Sequence, residues 1–118
     1  MNLNTINDIA SELFFALKNQ ETVQPLSEKY DDIEIDDAYQ ISRKFLSLRE
    51  DQGEKVIGKK ICVTSPVVQE MLGVNQPDFG FLTDKMQVKN KSNFSIKDSL
   101  IQPRAEAEIA FILKENIQ

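Results

Sequence analysis

Gln102-Pro103-Arg104-Ala105-Glu106-Ala107-Glu108-Ile109-Ala110-Phe111 is the stretch on which the architecture turns. In a strand, side chains alternate between faces, so Glu106 and Glu108 point one way. Ala105, Ala107, Ile109 and Phe111 then take the opposite face. Two carboxylates this close repel each other unless a proton, an arginine or a metal cation stands between them. The spacing therefore predicts a strand over residues 104–113 and a site that demands a counter-charge.

Outward from that stretch, Val56-Ile57-Gly58-Lys59-Lys60-Ile61-Cys62-Val63 is rich in β-branched residues and reads as a strand over 56–63. A second short strand is expected over 81–88, followed by a polar turn at 89–93. Between the first two strands, Ser65 caps and Pro66 opens a short helix to Leu72, with Gly73 closing it. Residues 74–80 read as a loop. Near the N-terminus, Leu3, Ile6, Ile9, Ala10, Leu13, Phe14 and Leu17 recur at helical intervals, predicting a helix over 4–19. A polar connector over 20–33 leads to a second helix carrying Ala38, Tyr39, Ile41, Phe45, Leu46 and Leu48, with Gly53 just past its end. Helices first and strands later is an α+β pattern, not the alternation of a doubly wound sheet. The expected architecture is two N-terminal helices packed on a small mixed β-sheet, residues 1–118 forming a single domain.

Composition narrows the chemistry. The chain has 118 residues, a net charge of −5 and 41% hydrophobic residues, enough for one modest core. Its basic residues are scattered apart from the pair Lys59-Lys60, so there is no phosphate-neutralising stripe and nucleic acid is not an expected partner. No apolar run approaches the ~18 residues of a membrane span. The first ten residues include Asn and Asp and no base, unlike a secretory leader. A single cysteine, Cys62, cannot form an internal disulfide and fits a reducing cytoplasmic setting. The absence of histidine excludes Ser-His and Cys-His catalysis and His-ligated zinc within the chain. Acid-base work falls to Lys, Asp, Glu, Tyr or water.

Three blocks carry a resemblance. They are Gly58-Lys59-Lys60-Ile61-Cys62-Val63-Thr64-Ser65, then Val68-Gln69-Glu70-Met71-Leu72-Gly73-Val74-Asn75-Gln76-Pro77-Asp78-Phe79-Gly80, then Gln102–Phe111. In this order and spacing they resemble the 2-keto-4-pentenoate (2-hydroxypenta-2,4-dienoate) hydratases. They are similar also to the 4-oxalocrotonate decarboxylases, both within the fumarylacetoacetate hydrolase superfamily. The resemblance covers the first half of such an enzyme, whose second half supplies a third acidic metal ligand and much of the β-rich core. Cys62 stands where the family usually has glycine, Val63 where leucine is common, and Asn75 where aspartate is common.

The resemblance implies Mg²⁺ or Mn²⁺ on Glu106 and Glu108, whose hard oxygens suit such ions. The plainer reading makes them surface glutamates with Arg104 as partner. Lys60 is expected in the active site as a proton carrier, its pKa drawn down by desolvation and a nearby cation. Alternation sends Lys59 the other way. Asp78 is expected to orient water or Lys60, or simply to accept backbone hydrogen bonds in its turn. Leu72 is expected on the apolar pocket wall or in the core. Arg104 is expected to bind a substrate carboxylate or pair with the glutamates. Cys62 reads as a small buried hydrophobe.

Three functions follow. The first is a metal-dependent hydratase of aromatic-compound catabolism that converts 2-hydroxypenta-2,4-dienoate to 4-hydroxy-2-oxopentanoate. The second is a sister decarboxylase on the same scaffold. The third is a catalytically silent chain that acts through a partner. An apolar run at a sheet edge would offer itself to other residues, another chain or a larger protein, so a homo-oligomer is expected. The resemblance adds a complex with a sister decarboxylase or aldolase.

Overall fold

Asn2 begins the first helix by accepting a hydrogen bond from the Thr5 amide at 2.9 Å. Helix α1 then runs Leu3–Asn19 and ends where Gln20 turns left-handed. The computed structural model describes residues 1–115. A single turn, α2 (Leu26–Lys29), leads into α3 (Ile35–Glu50). Asp37 in the first turn of α3 accepts the Glu34 amide, satisfying one of the donors a helix start leaves free. The apolar stripes of α1 and α3 face each other, and Ile6, Ile9, Ala10 and Ile41 form the buried centre. Leu13, Phe45 and Leu48 close around it, with Phe14 edge-on to Phe45 at 6.3 Å.

Strands β1 (Val56–Cys62) and β2 (Asp78–Thr83) form an antiparallel pair in which Lys60 opposes Gly80 and Cys62 opposes Asp78. Helix α4 (Pro66–Leu72) bridges them, opening on proline and closing at Gly73, whose φ of 69° belongs to the left-handed region glycine favours. A 3₁₀ turn at Asp84–Met86 and one helical turn, α5 (Ile96–Ser99), complete the regular elements among the described residues.

Two contacts weld the helical pair to the hairpin. Arg49, at the end of α3, donates from Nε and Nη2 to Glu54 Oε2 at 2.9 and 2.7 Å. Thr83, fully buried at the end of β2, donates to the same oxygen at 2.5 Å and accepts from Arg49 Nη2 at 3.2 Å. The other contact is aromatic: Tyr39 of α3 stacks on Phe79 of β2 at 5.1 Å between centroids. Burial pushes the Glu54 carboxyl up, but the hydrogen bonds from Arg49 and Thr83 outweigh it, leaving the carboxyl below its usual range.

The α+β class, both long helices and the Pro66–Leu72 helix agree with expectation. The sheet differs. It is two-stranded and antiparallel rather than mixed, and its second strand is Asp78–Thr83 rather than 81–88. Residues 104–113 form no strand, because alternation makes a strand only where a neighbouring edge supplies hydrogen bonds, and β1 bonds to β2 alone among the described residues. Ile109, Phe111 and Ile112 are accordingly exposed. The expected loop at 74–80 shortens, since 78–80 pair with β1. Residues 116–118, the end of the polar tail after the apolar run, lie outside the described residues.

Glu54→Gln removes the negative partner of a mostly buried guanidinium. It is expected to lower unfolding stability by about 1–3 kcal/mol in denaturant titrations, as for an unsatisfied buried partner. Because the folded carboxyl pKa is depressed, its stabilisation is complete above the unfolded value and disappears as pH falls through the folded one. The gap between wild type and Glu54→Gln should narrow in acid; a gap independent of pH counts against the ion pair.

Candidate active site

Strand pairing sorts the hairpin side chains. Lys60 and Cys62 share one face with Gly80 and Asp78, while Lys59 and Ile61 share the other with Phe79 and Phe81. The second face lies against α3 through the Tyr39–Phe79 stack, and Lys59 Nζ sits 5.1 Å from the Phe79 ring centroid. Lys60 is directed away from the helices. Its Nζ donates to Glu106 Oε2 at 3.1 Å and to Glu108 Oε1 at 2.5 Å. Both acids converge on one cation, which is Lys60 rather than the arginine or metal ion expected between them, and no strand holds them.

The ammonium itself differs from expectation. Hydrogen bonds to Glu108 and then Glu106 outweigh desolvation and push the Lys60 pKa well above the usual lysine range, rather than down. Arg104 takes no part in the cluster: among the described residues, the glutamates' ion pairs run to Lys60. The donor set suits a hard divalent ion, since two carboxylates already gather around a positive charge at a single point. No group of three or more His, Cys, Asp or Glu side chains comes together among the described residues.

The remaining candidates lie beside a different feature. A cavity of about 350 Å³ opens between α3, α4 and the start of β2, and Leu72 and Asp78 both line it. Tyr39, Val63, Val74 and Phe79 supply much of the rest of its wall. Asp78 lies by register on the face of Lys60, two residues along the strand from Gly80, and also lines the cavity. Val63 adopts a φ of 56°, rare for a β-branched residue, and its carbonyl accepts the Gln69 side-chain amide at 2.8 Å. Sequence reasoning missed Tyr39 and Val63. Tyr39 sits in an apolar helical stripe like any core residue, and nothing in a valine announces a left-handed backbone. Phe79 follows Asp78 directly in the Gln76–Gly80 segment, a signal that could have marked it.

No protein-family model matches the chain. Among curated proteins, it is 52% identical over 117 residues to a 2-hydroxypent-2,4-dienoate hydratase of Pseudomonas putida, covering 99% of this chain and 53% of that one. It is 53% identical over 107 residues to a 2-hydroxyhexa-2,4-dienoate hydratase of Comamonas testosteroni, covering 90% of this chain and 40% of that one. The chain is related to the 2-hydroxydienoate hydratases. It spans about half the length of these hydratases, and the matched part is N-terminal. Among solved structures, 4-oxalocrotonate decarboxylase from Pseudomonas putida G7, complexed with magnesium and adipate, superposes with a TM-score of 0.70. That match covers 72% of this chain and 32% of the decarboxylase at 24% identity, and it establishes a shared fold. Among the described residues, no helix is long and apolar enough to cross a membrane.

If Lys60 is what draws residues 104–108 to the hairpin, Lys60→Met should release them. Trypsin cleavage after Arg104, followed by mass spectrometry, is expected to become severalfold faster in the variant. Equal rates would show that the segment is held by something else.

Proposed function

We propose that residues 1–118 are the N-terminal portion, folded as one domain, of a divalent-metal-dependent hydro-lyase. It adds water to 2-hydroxypenta-2,4-dienoate to give 4-hydroxy-2-oxopentanoate. The observation that carries this reading is the convergence of Glu106 and Glu108 on the Lys60 ammonium, at 3.1 and 2.5 Å. Identity of 52–53% to named dienoate hydratases supports the reaction class. The magnesium of the decarboxylase that shares the fold supports the choice of a divalent ion, Mg²⁺ or Mn²⁺.

Glu106 and Glu108 are assigned as its ligands. A cation held there supplies Lewis-acid charge beside the substrate carboxylate and 2-oxygen when bound. The 2-hydroxyl loses its proton and C5 gains one, giving the conjugated 2-oxo-3-enoate. Water then adds at C4 while C3 takes a proton, so the balance is one water gained. Lys60 Nζ is assigned to proton delivery on the carbon chain, and the Asp78 carboxylate to orienting the attacking water. Leu72 is assigned to the apolar wall and Arg104 to the substrate carboxylate. A cytoplasmic, homo-oligomeric enzyme fits the lone cysteine and the exposed apolar residues 109–113.

The full-length protein carrying these residues is to be assayed with 2-hydroxypenta-2,4-dienoate and Mg²⁺ or Mn²⁺. Chelation should abolish turnover and the metal restore it. Glu106→Gln and Glu108→Gln should each lower kcat/KM about a hundredfold or more, the scale of several kcal/mol of lost charge stabilisation. CO₂ release from 2-oxo-3-hexenedioate without hydration would move the protein to the decarboxylases, and wild-type rates in both variants would remove the metal assignment.

A further inference from the structure

Ile109, Phe111 and Ile112 are 82%, 84% and 99% exposed, and Leu113 beside them is 59% exposed. Monomeric proteins rarely leave so contiguous an apolar run in water. Its backbone belongs to no strand among the described residues, so its amides and carbonyls are open to a ladder. We propose that residues 106–114 of two copies of the 118-residue chain pair as antiparallel strands about a two-fold axis at Ala110. The proposal goes beyond the reaction assigned above and does not depend on it.

The sequence is self-complementary in this register. Residues directly opposite in an antiparallel pair share a face. With the axis at Ala110, Ile109 meets Phe111 of the second copy, Ala107 meets Leu113, and Glu106 meets Lys114. Each contact occurs twice, because a two-fold interface uses the same patch on both copies. Ala107, Ile109, Phe111 and Leu113 of both copies then make one apolar face, and the Glu106–Lys114 pairs lie on the other.

Neighbouring registers lose these matches. An axis at Ile109 sets Arg104 against Lys114, and an axis at Phe111 puts Glu115 opposite Ala107 on the apolar face. An axis between Ile109 and Ala110 sets Glu106 against Leu113 and Glu108 against Phe111. The Lys60 contacts are compatible with pairing at Ala110. Glu108 already has the lysine through Oε1, and Glu106, held through Oε2, keeps its other oxygen for Lys114.

Sedimentation of the 118-residue chain should show a reversible monomer–dimer equilibrium. Glu106→Lys and Lys114→Glu each turn two attractions into two repulsions, so each variant alone should dimerise about tenfold more weakly or worse. An equimolar mixture should recover the dimer, because the two substituted positions then face each other. Recovery also shows that both variants are folded. In a Cys62→Ser background, Ala110→Cys should oxidise readily to a disulfide dimer. Directly opposed residues lie about 4.5–5.5 Å apart at Cα, within disulfide reach. Ile112→Cys should cross-link far more slowly, since the two copies of that position lie about 13 Å apart along the ribbon. A chain that stays monomeric, aggregates without limit, fails to recover on mixing, or cross-links equally at both positions overturns the proposal.

Discussion

Two carboxylates on one side of a short segment cannot come together without positive charge between them, and here Lys60 supplies it. As a stabilising contact the arrangement is modest, because all three side chains keep substantial contact with water. Its importance is chemical. Two carboxylates and one ammonium sum to a single negative charge, and a divalent cation added to them makes the sum a single positive one. That is the charge a 2-oxo carboxylate seeks. Under the proposed function, the lysine would hold the acids in readiness and turn to substrate protons once a divalent cation meets their charge.

This cluster is useful only if the hairpin that bears Lys60 is fixed relative to the helices. Burial alone does little of that work, since the buried hydrophobic core lies within the α1–α3 pair and α4 buries no residue. The joint is instead made by the Arg49–Glu54–Thr83 cluster at one end of the hairpin and the Tyr39–Phe79 stack towards the other. A polar joint tolerates no slippage, because moving it leaves a guanidinium and a hydroxyl unsatisfied out of water. Thr83 thereby anchors the end of β2, the strand whose first residue, Asp78, lines the apolar cavity.

What could be read from the chain follows from how local each signal is. Helices α1 and α3 were legible because their apolar stripes depend on one period and one partner. Helix α4 was legible from Ser65, Pro66 and Gly73. The strand over 104–113 was not, because alternation states what a segment does when an edge is offered and says nothing of whether one is. Yet Glu106 and Glu108 still meet at one point, since their shared direction and their need for a cation do not require a ladder. The raised pKa of Lys60 was not legible, because only the folded chain brings Glu108 and Glu106 within hydrogen-bonding reach of the ammonium. An apolar pocket walled by Leu72 was expected, but its aromatic side was not legible: Tyr39 is indistinguishable in sequence from a core aromatic, and only the third dimension brings Phe79 under it.

Val63 shows where local preference yields to the site. A β-branched side chain in the left-handed region costs about 1–3 kcal/mol, and a strand ending at Cys62 has cheaper ways to stop. The turn it makes sends the chain straight into Ser65 and Pro66, so that α4 starts within three residues of the strand and its last residue, Leu72, comes to face the cavity alongside Asp78. Gln69, one turn into that helix, reaches back to the Val63 carbonyl at 2.8 Å and offsets part of the cost. Glycine at position 63 would meet the same backbone without strain, but it would remove apolar wall from the cavity. The valine keeps an apolar residue in the cavity wall at the expense of backbone strain.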